Sequence, residues 1–257
     1  MTKNYPKQYV LKILNEKYGM IEEDFLSAEL EIVPAGKARD VGIDRGMIMA
    51  YGHDDRVCAY TSLRAVLELD SPQKTAVALF ADKEEVGSDG NTGMQSMFFN
   101  NMIAELIAAK NNGNYSELFL KRALENSSML SSDVAVGVDP TYPQVTEIQN
   151  SAIMGKGVAL VKYTGSKGKS GANDANAEYI GKLRKLFNEN EVVWQTSELG
   201  KVDQGGGGTI AYIMANYNMD VVDLGVPVLS MHAPCEVVSK TDVYMTYKAY
   251  NTFYNKY

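Results

Sequence analysis

The chain has 257 residues, 45% of them hydrophobic and 22% charged, which allows one large domain with a real core and excludes a fibre or a disordered tail. A formal charge of −7, with no Lys/Arg stripe interleaved with aromatics, excludes nucleic-acid binding and fits an acidic cleft for divalent metal. No stretch approaches membrane-spanning length, and Lys, Asn and Glu interrupt the first residues too often for a signal peptide. The expected setting is cytoplasmic, without a membrane partner, and Cys58 and Cys235 read as free thiols.

In chain order, the spacing of Tyr9, Val10, Leu11, Ile13 and Leu14 predicts a first helix, closed by Gly19. Ala28 to Val33 alternates acidic and apolar residues like a strand. From Arg56, the positions Val57, Tyr60, Leu63, Val66 and Leu67 form one helical stripe that stops before Ser71-Pro72. Thr75 to Ala81 reads as a buried strand. Met94–Ala109 and Tyr115–Leu124 read as helices, Val134–Val138 and Gly157–Tyr163 as strands, and Ala175–Asn188 as a helix. Val192–Gln195 is strand-like, Thr209–Tyr217 helical, and Val221–Leu229 strand-like around Pro227. Ser239–Tyr257 is a closing helix whose opening Ser239-Lys240-Thr241-Asp242 has the pattern of a capping box. This alternation of strands and helices predicts an α/β class, an α/β/α sandwich on a mixed sheet, with residues 1–257 as a single domain.

Several acids lie at element boundaries, where metal chemistry and plain structure compete. Asp82-Lys83-Glu84-Glu85-Val86-Gly87-Ser88 follows the expected strand ending at Ala81, and crevices of open α/β sheets form beyond the carboxyl ends of strands. Of two adjacent carboxylates, one can bind a metal and the other take a proton from water; the same residues also suit a solvated acidic loop. Asp54 can be a metal ligand or the N-cap of the helix beginning near Arg56. Asp133 follows Ser131-Ser132 where an acid can cap a turn. His232 ends an apolar strand, as a ligand or as a satisfied core histidine.

Taken in order, Gly52-His53-Asp54-Asp55-Arg56, Asp82-Lys83-Glu84-Glu85-Val86-Gly87-Ser88, Ser132-Asp133 and Ser230-Met231-His232 resemble the zinc aminopeptidases of the aspartyl aminopeptidase and vacuolar aminopeptidase I family. Asp203-Gln204-Gly205-Gly206-Gly207-Gly208-Thr209-Ile210 and Val222-Asp223-Leu224-Gly225-Val226-Pro227 reinforce the resemblance, which runs from roughly Ala35 to the C-terminus. It implies a zinc-peptidase (phosphorylase/hydrolase-like) fold and removal of N-terminal residues from peptide substrates. It also implies a two-zinc site in which Asp54 bridges, Glu85 and His232 complete one ion, Asp133 serves the other, and Glu84 is the general base. Manganese or cobalt can substitute. Asp203, Gly207 and Thr209 would line the substrate cleft, glycine letting backbone N–H groups approach the peptide; a flexible turn is the competing reading, as a solvated basic loop is for Lys167, Lys169 and Asn173.

The resemblance also marks a departure. Relatives begin with a segment carrying a His-x-Asp motif, then an inserted assembly domain, and neither is visible here; the histidines are His53 and His232. The expectation is therefore an N-terminally truncated catalytic domain, one zinc possible in place of two, and homo-oligomers possible without the assembly domain. The alternative is a metal-binding remnant or structural subunit with little or no hydrolysis. His53 is expected to have no metal role, because neighbouring side chains in extended backbone point to opposite faces.

Overall fold

The computed structural model describes residues 4–167, 169–201 and 206–257, and the chain divides into two compact units, Met1–Ala35 and Gly36–Tyr257. The first holds α1 (Tyr5–Tyr18) and a 3-10 turn over Glu22–Leu26. Gly19 ends α1 at φ 71°, its N–H donating to the Asn15 carbonyl, as the sequence leads one to expect. Ala28–Val33 forms no strand: its alternation lacks a partner strand within this unit, and Leu30 and Ile32 stay exposed.

The second unit is mixed α/β. One five-stranded sheet runs β1 (Arg39–Val41), β2 (Met47–Ala50), β11 (Glu236–Ser239), β10 (Pro227–Leu229), β4 (Ala135–Val136). A four-stranded sheet runs β3 (Ser128–Ser131), β9 (Asp220–Gly225), β5 (Val158–Val161), β8 (Trp194–Ser197), and β6 (Tyr163–Ser166) pairs with β7 (Ser170–Asp174) as a hairpin. Both larger sheets mix parallel and antiparallel pairs.

Strand periodicity builds the layers around β9. Val222 and Leu224 join Ala65 of α2 (His53–Leu67), Tyr179, Leu183 and Phe187 of α5 (Ala177–Glu189), and Ala249 and Tyr250 of α7 (Lys240–Lys256) in one buried cluster. Val221, on the opposite face, packs with Ala211, Ile213 and Met214 of the short α6 (Ala211–Ala215) and with Phe99 of α3 (Phe98–Lys110). Helices thus cover both faces, the α/β/α arrangement anticipated from sequence. The amphipathic α4 (Glu117–Glu125) is capped by the Ser116 hydroxyl, which accepts from the Phe119 N–H.

Several expected elements are corrected. Val221–Leu229 is two strands: β9 pairs with β3 and β5 in one sheet, then the chain crosses at buried Val226 and continues as β10 in the other. Its parallel neighbour crosses beside it, from β3 through Ser132-Asp133-Val134 to β4, and the Ala135 N–H donates to the Val226 carbonyl at 2.9 Å. Gly225 is required at this seam, because a Cβ there would stand 1.7 Å from the Asp133 carbonyl oxygen. Thr75–Ala81 has no strand ladder; the Val77 carbonyl accepts from the Tyr254 hydroxyl of α7, and only Asp82 bridges, to Gly93. α3 begins at Phe98 rather than Met94 because the N–H groups of Gln95 and Ser96 are taken by the Ser88 and Gly93 carbonyls.

The capping box at α7 does not form. Ser239 makes no side-chain cap bond and meets the Thr241 hydroxyl instead. The buried Asp242 carboxylate turns away to accept from the N–H groups of Gly155 (2.6 Å) and Gly157 (2.8 Å). No helix among the described residues is long and apolar enough to cross a membrane, and both cysteines are free.

Candidate active site

Four segments bring these groups together, three loops and the β3–β4 link that carries Asp133. In the first sheet β2 and β10 both pair antiparallel with β11 and so run in the same direction; the chain leaving β2 carries Asp54, and the one leaving β10 carries His232. Asp54 and Asp55 precede the regular part of α2 with non-helical backbone (φ/ψ −80°/110° and −116°/29°). The Asp54 carboxylate is not a helix cap: its Oδ2 lies 2.9 Å from His232 Nε2. The third loop is the acidic one. Lys83 takes a left-handed conformation ahead of the 3-10 turn Glu84–Val86, and Ser88 folds back so closely over Gly93 that a Cβ there would sit 2.1 Å from the Ser88 carbonyl oxygen. This presents Glu85, whose Oε1 is 3.0 Å from the same His232 nitrogen.

Two clusters result, and Asp54 belongs to both. One ligand atom each from Asp54, Glu85 and His232 lies within 4.8 Å of the others, and the same holds for Asp54, Asp55 and Asp133. His232 and Glu85 are exposed while the Asp54 side chain is buried, so the pair of clusters runs from the surface inward.

The electrostatics follow from packing acids in a partly dehydrated space. Burial, then Glu85, pushes the Asp54 carboxyl up to about 6, and burial pushes Asp55 up to about 8, with Asp54 and Glu84 adding repulsion. Burial together with Asp55 and Asp54 raises Asp133 well above the usual range. Glu84 is raised by burial and by Glu85 and Asp54, so it shares their field although it is in neither cluster. Asp55 Oδ1 is buried without a hydrogen-bond partner. Carboxylates crowded and orphaned in this way, with one imidazole at the rim, match the oxygen-and-nitrogen donor chemistry of a zinc-type cation site.

Of the substrate residues expected from sequence, neither Gly207 nor Thr209 is a member of either cluster. Asp203 lies outside the described residues. Gly207 gives its carbonyl to the Gly165 N–H of β6 at 3.0 Å. Thr209 is buried with its hydroxyl beside Asp223, which burial lifts to about 7; neither Asp223 oxygen makes a well-formed hydrogen bond. The Asn173 side-chain amide, on β7, donates to the Val221 carbonyl of β9. His53 is buried and its Nε2 meets the Ile48 carbonyl at 3.2 Å, with burial holding its pKa below the ordinary value. Sequence reading missed Asp55, Asp223 and Glu236. Asp55 carried a signal, being an acid beside a candidate ligand, whereas the last two sit inside strands where only burial reveals them.

The chain matches the model of a known family, described as aminopeptidase I zinc metalloprotease (M18), over residues 1–254, so the likeness begins well before Ala35. It is 60% identical over 249 residues to a probable M18 family aminopeptidase 1 of Clostridium acetobutylicum, covering 97% of this chain and 53% of that protein. The corresponding figures for a protein of the same description from Thermotoga maritima are 50% over 250 residues, 97% and 55%. Its structure superposes on the crystal structure of aminopeptidase I from Clostridium acetobutylicum with a TM-score of 0.88 at 58% identity, covering 96% of this chain and 53% of that one. For the Thermotoga maritima M18 enzyme the TM-score is 0.92 at 50% identity, with 98% and 55% covered. The chain therefore spans about half the length of these relatives, and it belongs to the M18 family of aminopeptidase I zinc metalloproteases.

Proposed function

We propose that this chain carries the metal-holding part of an aminopeptidase that hydrolyses N-terminal residues from peptides, with two zinc positions sharing Asp54. Glu85 and His232 would hold the outer ion, Asp133 would contribute to the inner one, and manganese or cobalt could replace zinc. The observation that carries this reading is the membership of Asp54 in both clusters, the arrangement a bridging carboxylate requires.

When bound, the metal pair supplies Lewis-acid polarisation of the scissile carbonyl and acidification of water. The chain's own chemistry lies with Glu84. Its half-buried carboxyl, raised above the ordinary value by burial and then by Glu85 and Asp54, is suited to take a proton from the attacking water and return it to the leaving amine. Gly207 and Thr209 belong to the loop proposed to face the peptide.

Elemental analysis of the purified chain after dialysis against dilute zinc tests the reading. Two zinc ions per chain are expected. One ion points to the alternative, a metal-binding piece that hydrolyses slowly or not at all, and none overturns the metal reading altogether.

A further inference from the structure

Glu236 opens β11 and is 2% exposed, yet no ion pair among the described residues neutralises it. Its two oxygens are committed to backbone. Oε2 accepts from the Asp54 N–H at 3.0 Å and Oε1 from the His232 N–H at 2.8 Å. A carboxylate out of water is costly unless its lone pairs are met, and two backbone N–H bonds meet them.

The choice of donors gives this bond pair its meaning. Asp54 and His232 are far apart in sequence, lie in different loops, and are the two residues whose side chains meet at 2.9 Å. Neither has regular backbone: Asp54 is non-helical within the first turn of α2, and His232 sits at φ 65° in a turn with Ser230 at φ 58°. Glu236 faces Ala50 in the β2–β11 register, which anchors it to the strand that leads into the Asp54 loop. One rigid side chain thus sets the separation of two loop residues.

Resting on the reading of Asp54 and His232 as metal holders, we infer that Glu236 is a positioning residue that clamps these two loops, so that the outer metal site exists before the metal arrives. Groups that orient ligands typically change metal affinity 10- to 100-fold when removed. Glu236→Gln keeps the shape but leaves one acceptor oxygen and turns an NH2 group toward a backbone N–H. Glu236→Asp keeps the charge but is too short to reach both donors.

Asp242 provides a matched control, a buried carboxylate likewise bonded to two backbone N–H groups, those of Gly155 and Gly157, but with no bond to either cluster. The test is zinc titration of the full chain against a competing chelator, with amide spectra of the metal-free protein recorded alongside. Glu236→Gln is expected to raise the zinc Kd 10- to 100-fold and to shift the amide protons of Asp54 and His232 upfield. Glu236→Asp should fall between it and the wild type, and Asp242→Asn should leave the Kd unchanged while lowering Tm. A folded Glu236→Gln protein with wild-type Kd overturns the inference and leaves the metal reading intact. If Glu236→Gln does not fold, a wild-type Kd in Glu236→Asp overturns it equally. A wild-type chain that takes up no zinc overturns the reading beneath it.

Discussion

The outer and inner clusters share Asp54 but solve the problem of crowded charge differently. In the outer one, His232 lies between two acids, within hydrogen-bond distance of both, and Glu236 meets the backbone N–H groups; without any cation this half is already bonded. The inner one gathers Asp54, Asp55 and Asp133 with no cation among the described residues, leaving Asp55 Oδ1 buried and unpartnered. Hydrogen bonding holds the outer geometry, whereas the inner geometry is held by the two strands crossing between sheets at the Asp133–Gly225 seam and runs against its own electrostatics.

The largest effect that sharpens this contrast concerns Glu84, which both clusters influence without containing it. Glu84→Gln is expected to lower kcat about 10²- to 10⁴-fold, the usual contribution of a general base, with zinc content by elemental analysis unchanged; unaltered turnover would remove Glu84 from the chemistry. Next comes Glu85→Ala, which takes an acid from the outer cluster alone. Its zinc stoichiometry should fall by one ion per chain, and a fully loaded variant would count against Glu85 as a ligand.

At the inner cluster, Gly225→Ala forces a methyl group onto the Asp133 carbonyl and should cost about 3 kcal/mol or more in chemical denaturation. If stability is retained, the seam does not hold Asp133 as described.

The pH dependence of the metal-free chain comes next. The folded carboxyls of Asp54 (about 6), Asp223 (about 7) and Asp55 (about 8) titrate above the ordinary value for aspartate of about 4. Acids raised in the folded state favour it at low pH, so their stabilising contribution is present below pH 4 and is lost as pH rises to 8. Thermal melts should show Tm falling across that window, zinc should flatten the fall, and Asp223→Asn should remove part of it.

The smallest effect is expected for Tyr250→Phe. It deletes the phenol that meets the Ser132 hydroxyl and donates to the Leu224 carbonyl behind the seam, at about 1 kcal/mol by denaturation.

Much of this was legible in sequence wherever one physical pattern sufficed. The spacing from Val57 to Leu67 located α2 but not its buried face, which is Val57, Cys58, Thr61 and Ala65 while Tyr60, Leu63 and Leu67 stay exposed; Gly19 stopped α1. Thr75–Ala81 looked the same on paper as a buried strand, but an apolar run specifies only a willingness to pair, and its ladder must come from elsewhere. Val221–Leu229 reads as one strand because crossing between sheets leaves the apolar pattern intact; its partners reveal the crossing, β3 and β5 for the first half and β11 and β4 for the second. The Ser239–Asp242 pattern failed as a cap because Asp242 found stronger use holding Gly155 and Gly157.

By itself, then, the sequence determined the α/β class, most helices, the family, and the set of acids and the histidine on offer, since these depend on local periodicity and on residue types in order. Tertiary structure alone decided that Asp55 joins the inner cluster, that His53 turns to the Ile48 carbonyl, and that Glu236 accepts from two distant loops. Those outcomes depend on distances between segments remote in the chain, which strand register and sheet crossing set and which no local pattern encodes.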